Sequence, residues 1–229
     1  RSDLYESALG AMLDRADAMR KAERTLGRDE LDAFLRQLAF ASHRREGDQF
    51  RIFTDEDVRG WGGDVEGGYA GEWPRAWDQA RAMAVGGGSL PILAFLGRGE
   101  ADREEFRFSH LTFQEYYCAA ELMRRFRLRG GGALAGLLRQ ADTGCAAHAL
   151  GDARWHVVLQ ICAELCDGAG GMQAFAEAVL ACDGHKLALG PGVRDAGARA
   201  LVPLLRADRL LVEIDLSKAE LGAAGARDV

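Results

Sequence analysis

Lysine is almost missing from this chain. Only Lys21, Lys186 and Lys218 occur in 229 residues, and nearly all positive charge is arginine. The 29 basic residues are outnumbered by 35 acids, for a net charge of −6. That balance lacks the basic footprint required for non-specific binding to nucleic acid or to an anionic membrane surface. No apolar run reaches the roughly 18 residues of a membrane-spanning helix, and no signal-like apolar segment follows Arg1. The pattern G-x-x-x-x-G-K-[ST] is absent. The glycine tract 86–88 ends in Ser89 with no lysine, so it cannot cradle and neutralise phosphates in that way. No apolar strand ends in an acidic cluster suited to Mg²⁺, so the chain is not expected to hydrolyse nucleotide by itself. The cysteines are odd in number (Cys118, Cys145, Cys162, Cys166, Cys182) and sit in apolar, helix-like context. That usage suits buried thiols in a reducing compartment better than a disulfide framework. Together these absences lead to the expectation of a piece cut from a longer, cytoplasmic protein.

What is present is ample core material. At 48% hydrophobic residues the chain can hold one large domain or two small ones. Leu4, Ala8, Leu9, Met12 and Leu13 recur at helical spacing and predict a first amphipathic helix, interrupted at Gly27. Asp29 then opens a second helix with the stripe Leu31, Phe34, Leu35, Leu38 and Ala39, and Asp29 or Asp32 lies in its first turn. Residues 49–53 alternate like a strand. Thr54 and Asp57 have the spacing of a capping box at the start of another helix. The glycine-rich tract 60–72 reads as a loop, Trp73 to Val85 as a helix, and 86–89 as a break. Leu90 to Leu96 leads through a charged turn into the strand Phe106 to Phe108. Helix, strand, helix, helix, hairpin, helix is the order of a winged helix. From Ala133 to Cys182 the apolar residues keep helical spacing: Leu134, Leu137 and Leu138, then Trp155, Val158, Leu159, Cys162 and Leu165, then Met172, Phe175, Val179 and Leu180. Glycines at 130–132 and 168–171 serve as punctuation.

The tail carries a repeat. Ala196-Gly-Ala-Arg199 recurs as Ala224-Gly-Ala-Arg227, and Leu211, Ile214, Leu216 and Leu221 follow the strand pattern L-x-x-L-x-L-x-x-N-x-L, with Ala219 in place of asparagine. One unit earlier, Leu187-Ala-Leu189 echoes the same strand. The period falls within the roughly 20–29 residues of leucine-rich repeats, and the chain is expected to stop inside a repeat.

The most informative segment is Phe106 to Leu122, FRFSHLTFQEYYCAAEL. Thr112 and Glu115 have capping-box spacing, flanked by Leu111 and Tyr116 at staple positions, which predicts a helix start near Thr112. Phe113, Tyr116 or Tyr117, Ala120 and Met123 would face a core, and the small pair Ala119-Ala120 would admit a close neighbouring helix. His110 then falls just outside the helix start, where unpaired N–H groups and the positive dipole end make an anion site. A histidine there can donate a hydrogen bond to a phosphate oxygen, although a lone histidine at such a junction more often caps or packs.

The pattern Phe106, Phe108, His110, Thr112, Phe113, Gln114, Glu115, Tyr116, Ala119, Leu122, with Cys118 where a small residue is usual, is similar to the motif closing the winged-helix subdomain of NACHT proteins. These are the NOD-like receptor group of STAND NTPases. Weaker echoes run in family order: Asp3-Leu-Tyr-Glu6, Leu35-Arg-Gln-Leu-Ala-Phe40 and Trp155-His-Val-Val-Leu-Gln160. The resemblance implies a mainly α chain: a winged-helix subdomain with a small β wing, a helical subdomain, then the first α/β leucine-rich repeats. Its divisions would be a linker helix at 1–27, the winged helix at 28–128, the second helical subdomain at 129–182 and the repeats from 183 to 229. It further implies that His110 contacts the phosphate of ADP or ATP held by an N-terminal nucleotide-binding domain of the same protein, with no cofactor on the isolated chain. Gln114 and Glu115 would cap and pack. The implied partners are that domain, another protein at the repeats, and further copies in an active homo-oligomer serving innate-immunity-like signalling, with no membrane partner.

Other constellations are weaker. Cys145, His148, His156, Cys162 and Cys166 could be imagined around zinc, but their spacing fits no established pattern and Cys162 continues an apolar stripe. Arg124 to Arg129 complements the C-terminal end of the signature helix more readily than it forms a nucleic-acid patch. The resemblance thus implies a regulatory lid of a nucleotide-dependent signalling switch, and two alternatives to it stay open: a winged-helix DNA-binding regulator, and an interaction module built on the repeats with a helical cap.

Overall fold

The stripe Leu31, Phe34, Leu35, Leu38 and Ala39 is buried along its whole length. It belongs to helix α2, Arg28–His43, whose start is capped by Glu30: its carboxylate accepts from the Gly27 N–H at 2.6 Å. The computed structural model describes residues 2–19, 27–45, 50–62, 71–86, 90–130, 153–166 and 168–179, with short stretches at 186–188, 202–203, 205–207, 213–215 and 221–223. The chain is mainly helical with a small three-stranded antiparallel sheet, and divides into two compact units, 1–121 and 122–229. No helix among the described residues is long and apolar enough to cross a membrane.

In the first unit α1, Ser2–Met19, precedes α2. Leu9 and Leu13 are buried, but Leu4, expected on the same face, is 71% exposed. Strand β1 is only Phe53–Thr54, shorter than the run 49–53 suggests. Thr54 ends it by capping α3, Asp55–Trp61: its hydroxyl accepts from the Asp57 N–H at 3.2 Å, while the Asp57 carboxylate accepts from the Thr54 N–H at 2.8 Å. The helix continues through Gly60 to Trp61, residues expected in a loop. Trp61 is buried edge-on to Phe53 at 5.7 Å, and tertiary packing of this kind overrides the low helix propensity of glycine. At the C-cap, Gly62 lies where a Cβ would stand 2.7 Å from the Trp73 ring. Residues 63–70 of the expected loop, and 87–89 of the expected break, lie outside the described residues.

Helix α4 spans Trp73–Val85 as the sequence predicts, with a proline in its first turn. Strands β2, Leu93–Arg98, and β3, Glu104–Phe108, form a hairpin, and the sheet order is β1-β3-β2. The register runs Leu93↔Phe108 and Phe95↔Phe106, then slips by one to Gly97↔Glu105. That bulge is accommodated by Gly97 at φ 109° and leaves Leu96 on the surface. Helix α5, Leu111–Arg129, follows β3 after two residues.

The core of this unit is aromatic. The Trp77 indole is fully buried, with ring centroids 5.0 Å from Phe106, 6.3 Å from Phe53 and 6.5 Å from Phe34. It thereby joins α4 to β3, β1 and α2. Its N–H donates to Asp55 at 2.7 Å, and the Trp73 N–H donates to the Val58 carbonyl at 2.7 Å. Both polar atoms of these large rings are therefore satisfied, as burial of tryptophan requires.

In the second unit, α6, Ala153–Glu164, buries Trp155, Val158, Leu159 and Cys162, and α7, Gly168–Val179, buries Phe175 and Val179. Gly168, Gly170 and Gly171 lie in the first turn of α7 instead of separating helices. Phe126 stacks edge-on to Phe175 at 5.6 Å, and Arg127 donates to the Leu165 carbonyl at 2.8 Å, just past the end of α6. Strands β4, Lys186–Ala188, and β5, Glu213–Asp215, pair in parallel with Leu187 opposite Ile214. The helix expected around Leu134 to Leu138, and the recurring segments 196–199 and 224–227, lie outside the described residues.

Trp77→Ala should cost roughly 3–5 kcal/mol, as for other large aromatic deletions from a core, whereas Thr54→Ala should cost about 1 kcal/mol as a lost helix cap. Urea titrations followed by far-UV circular dichroism would measure both; a Trp77→Ala loss no larger than that of Thr54→Ala would contradict the central place given to the indole.

Candidate functional site at the start of α5

His110 is held in place by its neighbour. The Ser109 N–H donates to the Ile92 carbonyl at 2.9 Å, and the Ser109 hydroxyl donates to the Pro91 carbonyl at 2.6 Å. These bonds fasten the end of β3 to the start of β2 and commit the serine hydroxyl, so Ser109 is not a nucleophile waiting beside the histidine. The chain then turns directly into α5. The His110 carbonyl accepts from the Phe113 N–H at 3.1 Å and the Gln114 N–H at 3.5 Å. His110 is thus the N-cap residue, its imidazole exposed and edge-on to the Phe113 ring at 5.1 Å.

This geometry corrects the expected capping box. The helix begins at Leu111, not Thr112, so Thr112 already lies in the first turn and cannot serve as N-cap. Glu115, its supposed partner, is only 7% exposed and faces inward. The clamp at Ser109 decides the helix start, and its partners Pro91 and Ile92 lie far away in sequence. Phe113, Tyr116, Tyr117 and Met123 are buried as expected, whereas Ala120 is only half-buried and its neighbour Ala119 is buried instead.

Gln114 makes a tie that sequence reasoning did not find. It is 2% exposed, and its amide N–H₂ donates to the Ser42 hydroxyl at 3.1 Å and to the Phe50 carbonyl at 2.7 Å. Ser42 in turn donates to the Ala39 carbonyl at 3.1 Å. One side chain therefore joins α5 to the last turns of α2 and to the segment leading into β1. The only sequence signal was an amide within an otherwise apolar helix face.

Burial pushes the Glu115 carboxyl up to about 7, and the attraction of Arg51 offsets only part of that shift. The arrangement at the helix start can offer an anion an exposed imidazole and the unpaired N–H groups of the first turn of a 19-residue helix. It contains an anion-accepting end, not a nucleophile and base.

The remaining candidates stand apart. Cys162 is fully buried and its thiol is pushed well above the ordinary range by burial, while the Cys166 Sγ donates to the Cys162 carbonyl at 3.3 Å. His156 is buried on α6, and Cys145 and His148 lie outside the described residues. Among the described residues no group of three or more histidine, cysteine or acidic side chains could hold a metal ion. No family model, no curated protein and no solved structure matches this chain.

A carboxyl whose folded pKa of about 7 exceeds its ordinary 4.5 binds more protons folded than unfolded between those values. Its contribution is therefore fully present below about pH 4.5 and is lost as pH rises towards 7, by up to about 3 kcal/mol. Glu115→Gln should remove that slope and stabilise the chain at pH 8. Denaturant midpoints from pH 4 to pH 8 for both proteins would test this, and parallel profiles would place Glu115 in water.

Proposed function

We propose that this chain is the regulatory lid of a NACHT-type, nucleotide-dependent signalling switch. The observation that carries the reading is the exposed His110 imidazole at the positive end of α5, fastened there by Ser109. An imidazole and a helix N-terminus suit a phosphate oxygen, so His110 and the first-turn N–H groups of α5 would hold the outer phosphate of ADP bound on a nucleotide domain elsewhere in the same protein. The nucleotide supplies a charged group whose length and position change on exchange. This chain supplies a contact made in one state and released in the other, and such a difference is what a ligand-driven population shift needs. Rotation of the lid would then expose surfaces for homo-oligomer assembly.

Supporting observations come from the elements themselves. The order α2, β1, α3, α4, β2, β3 with sheet order β1-β3-β2 supports a winged-helix reading. The parallel pairing of Leu187 with Ile214 matches the strand spacing of a leucine-rich repeat and supports a sensor surface that binds another protein. That pairing also favours a second reading, in which the repeats are the functional part and the helical region caps them.

The DNA-binding alternative loses ground on charge. On α4, Arg81 is held by Glu104 at 2.6 Å, and Asp78 accepts from Arg59 at 2.6 Å. Arg59 also bonds Asp55 at 2.9 Å. Burial works against ionisation of Asp55, but hydrogen bonds from Arg59 and Trp77 prevail and hold its carboxyl below the usual range. Cations committed to carboxylates in this way are poor contacts for a phosphate backbone.

In the full-length protein, His110→Ala should speed ADP release roughly 10- to 100-fold, the equivalent of one charge-assisted hydrogen bond, and raise the oligomeric fraction without added ligand. Bound-nucleotide chromatography and analytical ultracentrifugation would measure the two effects. Unchanged nucleotide content together with a monomeric protein would overturn the lid, and unchanged partner capture by the repeats would then favour the second reading.

A further inference from the structure

A cleft of about 230 Å³ opens among α1, α2 and α5, and His110 is not among its lining residues. Tyr117 of α5 lies deepest, at 1% exposure, and Leu9 and Leu13 of α1 supply an apolar wall. Glu6 and Asp29 are the exposed acids of the rim. Between rim and floor, Arg36 meets Asp32 through a single contact, Nη to Oδ2 at 2.9 Å, with the two side chains 29% and 33% exposed.

Two donors at this floor are enclosed and poorly satisfied. The Arg36 Nε–H has no hydrogen-bond partner, and the Tyr117 hydroxyl has no well-formed one, its sole acceptor being the neighbouring Asp32 carboxylate, which it reaches only weakly. Buried donors without acceptors are rare in folded proteins because their lost hydration is not replaced. They require an acceptor group, best a carboxylate, which can take a hydrogen bond from each. Higher in the cleft the sign reverses. Glu6, Asp29 and Asp32 crowd two arginines, one of which, Arg28, is drawn to Asp14 at 2.8 Å. Burial pushes the Tyr116 phenol up to about 12, and the nearby carboxylates of Glu6 and Asp32 add to that. A lone anion would meet three carboxylates there, and a lone cation would leave both floor donors poorly satisfied.

A zwitterion satisfies both halves. We propose that the cleft binds a free α-amino acid, which inserts into the Asp32–Arg36 pair. Its carboxylate accepts from Arg36 Nε and the Tyr117 hydroxyl, its ammonium donates to Asp32 and faces Glu6 and Asp29, and an apolar side chain lies over Leu9 and Leu13. Each member of the opened ion pair regains a partner of the same sign as the one it gave up, so the exchange leaves the charge balance of the cleft unchanged. A single side-chain contact between two groups that each keep about a third of their surface in solvent can be opened at modest cost. The volume exceeds the roughly 30 Å³ share of one water several times over, leaving room for a small zwitterion. The inference is independent of the lid reading, since it uses neither His110 nor a nucleotide.

The test uses the 229-residue chain with L-leucine, isoamylamine and 4-methylpentanoate, the last two being leucine without its carboxylate or without its ammonium. Glycine, L-serine, L-glutamate and L-arginine extend the series to other side chains. Thermal shift and calorimetric titration should show saturable binding of leucine and at least about tenfold weaker binding of either single-charge analogue. Tyr117→Phe and Arg36→Gln should each weaken leucine binding by about tenfold. Tyr117→Phe removes only a hydroxyl without a well-formed bond, so its unliganded melting temperature should change little, which separates a lost contact from a lost fold. Failure of every amino acid to bind would overturn the proposal and leave ordered water as the occupant. Equal binding of isoamylamine would overturn it in favour of a cation site, equal binding of 4-methylpentanoate in favour of an anion site, and full-strength leucine binding by Tyr117→Phe would remove the floor donors from the site.

Discussion

The buried indole of Trp77 organises the first unit. Its ring touches phenylalanines from α2, β1 and β3 at once, so three elements distant in sequence take their positions from one side chain. The consequence reaches the candidate site by short covalent steps. With Phe106 packed on Trp77, the register of β3 against β2 is set, since a slip by one residue would turn Phe106 and Phe108 to the surface. Once β3 is in register, Ser109 reaches the carbonyls of Pro91 and Ile92, and α5 has to start at Leu111. The exposure of His110 therefore follows from aromatic packing some distance from it.

Much of this framework could be read from local pattern. The α2 stripe, the limits of α4 and the Thr54–Asp57 cap all depend on residues within a turn or two of each other, and sequence spacing registers such relations directly. The strands that pair at Leu187 and Ile214 fall in segments whose leucine spacing stands out in the sequence. What escaped notice depends on partners remote in sequence. The start of α5 is decided by a serine bonded across the hairpin, and the length of β1 by where its pairing with β3 ends. Trp61 and Gly60 continue a helix because an aromatic neighbour covers the tryptophan. At the site itself the position of His110 was legible, but its role as N-cap and the buried tie of Gln114 were not.

Two carboxyl groups in the first unit are held against their solvation preference: Glu115 on α5 and Asp32 on α2. Burial raises both, and in neither case does a neighbouring arginine fully compensate. Asp55 is the contrast. It receives bonds from Arg59 and Trp77, and its carboxyl moves the other way. The difference is one of burial, because Asp32 and Glu115 are more deeply enclosed than Asp55 and lose more hydration than their neighbours return. Stability is thereby lost with rising pH around Glu115 and Asp32, and with falling pH around Asp55.

The bulge between Phe95 and Gly97 has a bearing on how the molecule behaves in a crowded solution. Strand β2 forms one border of the sheet, and a straight border strand offers a ladder of open N–H and C=O groups to any extended chain that meets it. Slipping the register at Leu96 breaks the spacing of that ladder, and the opposite border, β1, is only two residues long. A sheet with one interrupted edge and one stunted edge resists growth by a fourth strand. Self-association of this unit is thereby steered away from strand addition and left to side-chain surfaces, where partners can be chosen by shape and charge.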